Sequence, residues 1–551
     1  MTGARYQLSG TELPDVIPWA EEQFEIRIDP DDIHPSRYPT AIPEARDDPA
    51  FVRELGRLLP ADAIARDPET RLRHGHGHTQ DEMYAIKYGA IARVPDLVVF
   101  PAAASDVEAL VELARRYDVC LVPYGGGTNV SGALACRADD ERLIVSVDLR
   151  RLSRILWIDP TNRMAAIEAG AVGRDIAEQL ARYGFTMGHE PDSIEFSTLG
   201  GWIATNASGM KKNRYGNIED LVLDLEVVTS AGTLSHVAIA PRESIGLDAR
   251  RWMFGSEGTL GIITSAVVKI FPLPEVQRYD AFIFPDFDKG VAFMHDLTRN
   301  GAVPASVRLM DNLQFQLGQT LKPRATGLGA LKRRLERHYV TRLRGFAVDR
   351  MAACTLAYEG TRDEVAAQAA AVKGVARSHG GIRGGAANGE RGYQLTYSIA
   401  YLRDFIMGQW ILGESFETSV PWSQVLTLCE NVKRRLRDEH RRRKLPGKPF
   451  VTCRVTQVYE TGVCVYFYAA VAYKGVDRPS EIFAELERSA RDEILLSGGS
   501  LSHHHGIGKL REQFLPRIVS PGTLAWREAV KRAVDPTDVF GVGNQRPAGG
   551  A

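Results

Sequence analysis

The sequence predicts an α+β protein of more than one domain, on three observations. At 551 residues the chain is longer than one hydrophobic core normally supports, so two or three domains are expected. The stretch RVPDLVVFPAAASDVEALVELARRYDVCLVPYGGGTNVSG reads as strand, helix, strand and glycine loop. The C-terminal half alternates long helical patterns, at 363–379, 422–441 and 479–496, with strand-like runs.

Taken in order, residues 1–91 are rich in Pro, Asp and Arg and form an irregular, partly helical lead-in. Leu97 to Phe100 is an apolar run with strand character. Ser105 is the expected N-cap of the following helix, with Glu108 three residues later completing a capping box. Val107, Leu110, Val111 and Ala114 recur at helical spacing, and a second apolar run, Val119 to Val122, leads into Gly125-Gly126-Gly127. Strand-like runs follow at 143–149, 154–160 and 164–170, then a capped helix near 173–183. A strand-rich block from LVLDLEVVTS to GIITSAVVKIFPLPE closes around residue 275. The expected segments are therefore 1–91, 92–275, 276–500 and 501–551.

Composition narrows the class. With 44% hydrophobic residues, 25% charged residues and a formal net charge of -1, the chain reads as an ordinary globular protein. Nothing in this balance attracts nucleic acid. The one strongly basic run, Lys433 to Lys444 in NVKRRLRDEHRRRK, reads as the solvated end of a helix, with a membrane-surface patch as the alternative. Six cysteines without CxxC spacing suggest buried thiols in a reducing compartment. MTGARYQLSGTELPD lacks a secretory profile, no run approaches the roughly 20 apolar residues of a membrane span, and PAGGA is no peroxisomal address. A cytoplasmic protein is expected, with peripheral contact at a membrane surface left open.

Three segments carry chemistry of a polar ligand. PYGGGTNVSG lets backbone N–H groups approach a ligand closely, because glycine has no side chain. Alone it could be a tight turn, and the Rossmann pattern GxGxxG is not matched. EPDSIEFSTLGGWIATNASGMKKNRYGN (190–217) is crowded with Ser193, Ser197, Thr198, Gly200, Gly201, Thr205, Ser208 and Gly209, a poor core but a good polar cradle. GSEGTLGIIT (255–264) repeats the style. Together they imply one extended, phosphate-bearing ligand.

Two histidine clusters stand out. In SLSHHHGIGKL, His503, His504 and His505 are consecutive, which converges poorly on one ion whether the backbone is strand or helix. A solvated loop, acid/base work and a metal site all stay open on this stretch alone. In HGHGH, His74, His76 and His78 would share one face if extended, but the two glycines favour a flexible loop near the active site.

At these residues the chain resembles the vanillyl-alcohol-oxidase type of FAD-binding protein. The matching pieces are VPDLVVFP, the loop Pro123–Asn129, the PDS…STLGG segment and EGTLGIIT. The resemblance implies an α+β fold in which two α/β subdomains grip FAD (92–275), an α+β cap domain holds substrate (276–500), and a closing segment carries the histidine loop (501–551). Some members attach FAD through a histidine in the first loop. None is present here, so non-covalent FAD is expected. The implied cofactor-binding residues are Pro123, Tyr124, Gly125, Gly126, Gly127, Thr128 and Asn129 in the first loop. They continue with Asp192, Ser193, Ile194, Glu195, Phe196, Ser197, Thr198, Thr205, Asn206, Ala207 and Ser208 in the second segment, and Glu257, Gly258, Thr259, Leu260, Gly261, Ile262 and Ile263 in the third.

Within that group the chain is similar to the alkylglycerone-phosphate synthase (alkyl-dihydroxyacetone-phosphate synthase) family. The match is carried by GHEPDSIEFSTLGGWIATNASGMKKNRYGNIEDLV, RLMDN, LGESFETSVPW, CRVTQVY, VYFY and SHHHGIGKLR, and spans roughly residues 70–545. Asn206 departs from the arginine of animal members. The resemblance implies exchange of the acyl group of acyl-dihydroxyacetone phosphate for a long-chain fatty alcohol, giving an ether without net redox. It assigns Arg403 to the substrate phosphate, Arg308 to activity, and Tyr466 to proton transfer. It gives acid/base and positioning roles to His503, His504 and His505, with no metal. On a strand Tyr466 and Tyr468 point the same way, so residue pattern does not choose between them. The rival is an FAD-linked dehydrogenase or oxidase of 2-hydroxy acids or alcohols. Those proteins carry Glu-His-Gly where this chain has His504-His505-Gly506, and a histidine-bearing metal segment that CRVTQVYETGVCVYFY lacks. A non-catalytic FAD-fold lipid binder is the third reading. The expected partners are the two lipid substrates, with no nucleic acid, and a homodimer is left open.

Overall fold

In the computed structural model, described for residues 10, 12–38, 41–322, 327–395 and 399–546, the chain divides into two compact units. Residues 1–9 and the closing PAGGA, both read for targeting signals, lie outside the described residues. One unit comprises Ser36–Leu273 with His504–Ala551; the other comprises Met1–Pro35 with Pro274–His503.

The first unit holds two sheets. Strands Ile64–Ala65, Leu97–Val99, Ile144–Asp148 and Cys120–Tyr124 lie side by side in that order, the last three parallel. The helix Ala104–Tyr117 makes the crossover between two of these parallel strands, burying Val107, Leu110, Val111 and Ala114 as its spacing requires. Ser105 is not its cap. The helix begins one residue earlier, and the Asp106 carboxylate accepts the N–H groups of Ala102 and Ala103 at 2.9 and 3.0 Å. The second sheet is antiparallel, in the order Ile155–Asp159, Met164–Glu168, Ile262–Lys269, Val222–Thr229 and Gly232–Leu234. Inward residues of both sheets, from Leu97 and Val145 to Ile167 and Val268, belong to one continuous core.

The helix Gly173–Arg182 has no side-chain cap either. Its first N–H groups, of Gly173 and Arg174, donate to the carbonyls of Ser197 and Ile194 at 3.0 Å each, so the small-residue segment caps it with main chain. That segment is also less loop-like than its composition suggests, because it contains the helix Leu199–Thr205. Thr198 Oγ1 accepts the Gly201 N–H at its start, and Asn206 at φ 53° closes it in the left-handed region.

The second unit is built on a seven-stranded antiparallel sheet. Its order is Ile382–Arg383, Val276–Phe284, Ala352–Gly360, Ser306–Met310, Phe450–Val458, Gly462–Ala472 and Ile411–Pro421. The helices Arg362–Ser378, Val425–Arg442 and Pro479–Leu496 fall where helical periodicity placed them. The basic run is only partly solvated. Lys433 ion-pairs with Asp311 at 2.6 Å, and the buried Glu439 gathers Arg442 and Arg443. Five of the cysteines are buried and Cys136 is half-buried; burial pushes the Cys120 and Cys136 thiols up to about 12, which leaves them unreactive. Among the described residues no helix is long and apolar enough to cross a membrane.

Candidate functional site

In the first unit, the strand Cys120–Tyr124 ends at the glycine loop, and the geometry there leaves no room for side chains. A Cβ on Gly126 would sit 2.0 Å from the Phe196 carbonyl oxygen, and one on Gly125 would sit 2.4 Å from Thr198 Oγ1. Gly127 has φ 68° and lies against the Tyr124 hydroxyl. The first two loops are thus packed main chain to main chain. In the third, Glu257 and Gly258 are both left-handed, at φ 48° and 75°, and a Cβ on Gly258 would sit 3.2 Å from Pro123 Cδ. All three loops therefore pack into one structure.

Two polar atoms among these loops are buried without a protein partner: Asn129 Nδ2 and Asn206 Oδ1. Asn129 Oδ1 accepts the Ala133 N–H at 3.0 Å, which aims the amide nitrogen of the same side chain away from that turn. Buried polar groups of this kind normally have partners, so the pair fits a polar ligand held by the loops. FAD, with its pyrophosphate and uracil-like ring edge, is such a ligand.

Several residues expected to touch cofactor spend their side chains on protein. Ser197 Oγ donates to the Ser193 carbonyl and accepts from Trp202 Nε1, and Thr205 Oγ1 donates to the Gly201 carbonyl. Ser208 donates to Asn217 at 2.6 Å, and Thr259 Oγ1 to the Ser256 carbonyl. Ile262 and Ile263 are core residues. The Glu257 carboxylate accepts from Ser131 Oγ, from the N–H groups of Ile507 and Gly508, and from Gln545 Nε2. It therefore clamps the loop that follows the histidines. Ala207 belongs to the core and Leu260 packs against it, Tyr124 packs on His74 at 4.2 Å, and Phe196 is exposed.

His189 was not singled out, although it sits in the GHEPDS motif. It is buried, packs on Trp202 at 4.7 Å, and neither ring nitrogen has a hydrogen-bond partner. Burial, reinforced by His504, pushes it down to about 3, so it stays neutral. His74 turns out to be structural. Its Nε2 bonds Asp148 at 2.8 Å and its Nδ1 bonds the Thr70 carbonyl at 2.7 Å. Burial alone would raise Asp148, but the His74 and Arg150 hydrogen bonds hold its carboxyl below the usual range. His76 caps its own turn at the Gly77 carbonyl, and the His78 N–H donates to the Asn129 carbonyl at 2.7 Å. The HGHGH segment is therefore a fixed brace on the glycine loop.

In the second unit, strand register assembles a polar row. Met310 lies opposite Arg454, Arg454 opposite Tyr466, and Tyr466 opposite Glu417, across four adjacent strands. Arg308, two residues before Met310, shares its face and lies 5.5 Å over the Tyr393 ring. Arg454 sits 5.1 Å from both the Tyr466 and Tyr468 rings, which stack 6.3 Å apart. Both tyrosines do share one face. All of Arg308, Arg454, Glu417 and Tyr466 are buried.

Arg403, on the helix Ile399–Gly408, is ion-paired with Glu414 at 3.1 Å. Burial raises the Glu414 carboxyl above its ordinary value despite that arginine. Glu414 alternates with Glu417 along the Ile411–Pro421 strand, so Arg403 is not gathered into the Tyr466 row. His503 is gathered there: its N–H donates to Glu417 Oε2 and its ring reaches Tyr459. His504 and His505 begin the chain's return to the other unit, their rings 4.7 Å apart.

Family models divide the chain at the same place near residue 273, although the second runs on past His503. The family described as "FAD binding domain" matches residues 95–238, and "FAD linked oxidases, C-terminal domain" matches 273–544. The alkyldihydroxyacetonephosphate synthase of Caenorhabditis elegans is 42% identical, over 98% of this chain and 91% of its own. A solved structure of an alkyldihydroxyacetonephosphate synthase superposes with a TM-score of 0.83 at 28% identity, covering 96% of this chain and 92% of that one. Substrate-bound p-cresol methylhydroxylase superposes at 0.66 with 16% identity, over 91% and 98%, a likeness of fold alone.

Proposed function

The chain belongs to the alkyldihydroxyacetonephosphate synthase family, and from that we propose that it exchanges the ester-linked acyl group of acyl-dihydroxyacetone phosphate for a long-chain fatty alcohol. It has the two-subdomain FAD-binding fold of the vanillyl-alcohol-oxidase type with an α+β cap, and its cofactor is FAD. The Pro123–Asn129 loop contains no histidine, which supports non-covalent binding. Bound FAD supplies an electron-accepting ring for an exchange in which no net electrons flow: the fatty acid leaves as carboxylate, and the alcohol oxygen takes its place on the same carbon.

The observation that carries the assignment of roles is the Arg308–Arg454–Tyr466–Glu417 row, with His503 bonded to its end. Tyr466, between a guanidinium and a carboxylate, is placed to move a proton at the substrate carbon. His503, His504 and His505 serve as further proton carriers and orient the substrate. Arg403 binds the substrate phosphate by exchanging the Glu414 carboxylate for the phosphate. Contact with a lipid surface belongs to the same proposal. The helix Gly327–His338 and the turn after it expose Leu331, Leu335, Tyr339 and Leu343 at four-residue spacing, flanked by exposed Arg334, Arg337, Arg342 and Arg344.

The test is an assay of purified, FAD-loaded chain with acyl-dihydroxyacetone phosphate and hexadecanol. One fatty acid released per ether formed, with no electron acceptor present, is the expected result. Acid release without ether would contradict the exchange.

A further inference from the structure

Three consecutive histidines are free to rotate unless something holds them, and proton transfer needs one ring in one orientation. The structure supplies the hold for His503 from Tyr459 and Glu417, two residues of matched segments to which the resemblance assigns no role. Tyr459 Oη lies 2.6 Å from His503 Nε2, with the two rings 5.6 Å apart and tilted by 53°. Tyr459 is itself fixed at both main-chain ends. Its N–H donates to the Gly462 carbonyl at 2.8 Å, closing the turn between two strands, and its carbonyl accepts from Trp422 Nε1 at 2.9 Å. Trp422 in turn stacks on His295 at 4.7 Å.

The main chain before the ring is held as firmly. Glu417, with no exposed surface, accepts the Ser502 hydroxyl at 2.7 Å and the His503 N–H at 2.5 Å. Arg491 donates to the carbonyls of both Glu417 and Leu501, at 2.7 and 2.9 Å. Ser500 donates its N–H to the Ser419 carbonyl at 2.8 Å. The segment 500–503 is thus laid along the edge strand that carries Glu417, and the ring at its end meets the phenol of a rigid turn.

We propose that Tyr459 is a positioning residue for His503: its phenol holds Nε2 and so sets the ring's orientation and tautomer, while Glu417 fixes the main chain beneath it. The role rests on the alkyl-exchange function proposed for the chain. It needs no contact between Tyr459 and substrate, because a hydrogen-bonded partner of a working imidazole contributes through that imidazole.

This makes a specific prediction for a double-mutant cycle on the FAD-loaded protein, comparing Tyr459→Phe, His503→Ala and the double variant. Tyr459→Phe removes one oxygen and should lower kcat about tenfold, with KM for acyl-dihydroxyacetone phosphate within about twofold. In the His503→Ala background the same change should alter kcat less than about twofold, since the ring it orients is gone. Equal losses in both backgrounds, or no loss in either, would overturn the proposal. So would an early melting midpoint or reduced FAD content in Tyr459→Phe, which would mark a structural role. The wild-type turnover in the same assay reads the proposed function separately. Alkyl exchange absent there removes the reading itself, whereas an active wild type with an additive cycle removes only Tyr459.

Discussion

The glycine-loop unit and the seven-stranded unit build their sites in opposite ways. In the first, the cradle comes from runs of neighbouring residues, and its geometry is set by what cannot fit: a Cβ on Gly126 would lie 2.0 Å from a carbonyl oxygen. In the second, Arg308, Glu417, Arg454 and Tyr466 are scattered over more than a hundred residues, and only the pairing register of four strands brings them together. A site made of main chain needs small residues in sequence. A site made of side chains needs a register, and register is a property of the sheet.

The largest expected effect tests the first region. Gly126→Val should abolish FAD binding, because the added side chain forces the Pro123–Asn129 loop off the Phe196 segment. The purified variant should be colourless where the wild type is yellow; full flavin occupancy would mean that the two loops need not touch. Wild-type flavin should come free on acid precipitation, and flavin that stays on the polypeptide would refute non-covalent binding.

The second region should break without losing colour. Tyr466→Phe should cut turnover by roughly 100-fold or more at unchanged FAD content, as expected for removal of a proton-transferring group. Retained turnover would shift the role to Tyr468, which shares its face. A smaller loss is expected for Arg403→Ala. A hydrogen bond to a charged group contributes about 1.5–3 kcal/mol, so affinity for the phosphate-bearing substrate should fall on the order of 10- to 150-fold. Unchanged affinity in a binding titration would leave Arg403 paired with Glu414 for structure alone.

The smallest effect is none. Dialysis against a strong chelator should leave turnover as it was, and a loss restored by zinc would overturn the acid/base reading of the histidines.

The same contrast explains what could be read in the sequence. The strand–helix–strand–glycine path, the three cradle loops and the helices of the second half follow from local periodicity and small-residue clusters. Ser105 looked like a cap by residue type, yet Asp106 reaches the exposed N–H groups instead, since helix starts shift by a residue or two without changing the pattern. The 190–217 segment hid a short helix because glycine and threonine carry weak helical signals. Glu257 lay in a cofactor motif, but its carboxylate holds Gly508 and Ile507, some 250 residues away in the chain. Glu417, Tyr459 and Arg454 lie in segments that carry the family match, but nothing in those segments gives their roles. Their partners are fixed by strand pairing and by a turn, neither of which residue spacing records.

The most direct test of alkyl exchange is an anaerobic absorbance measurement on the FAD-loaded wild type. Adding acyl-dihydroxyacetone phosphate should diminish the oxidised flavin band, and adding a long-chain alcohol should restore it with no electron acceptor present, because an exchange without net redox returns every electron to the product. Sustained bleaching by a simple 2-hydroxy acid, with no spectral response to the acyl ketone phosphate, would contradict it and identify a dehydrogenase.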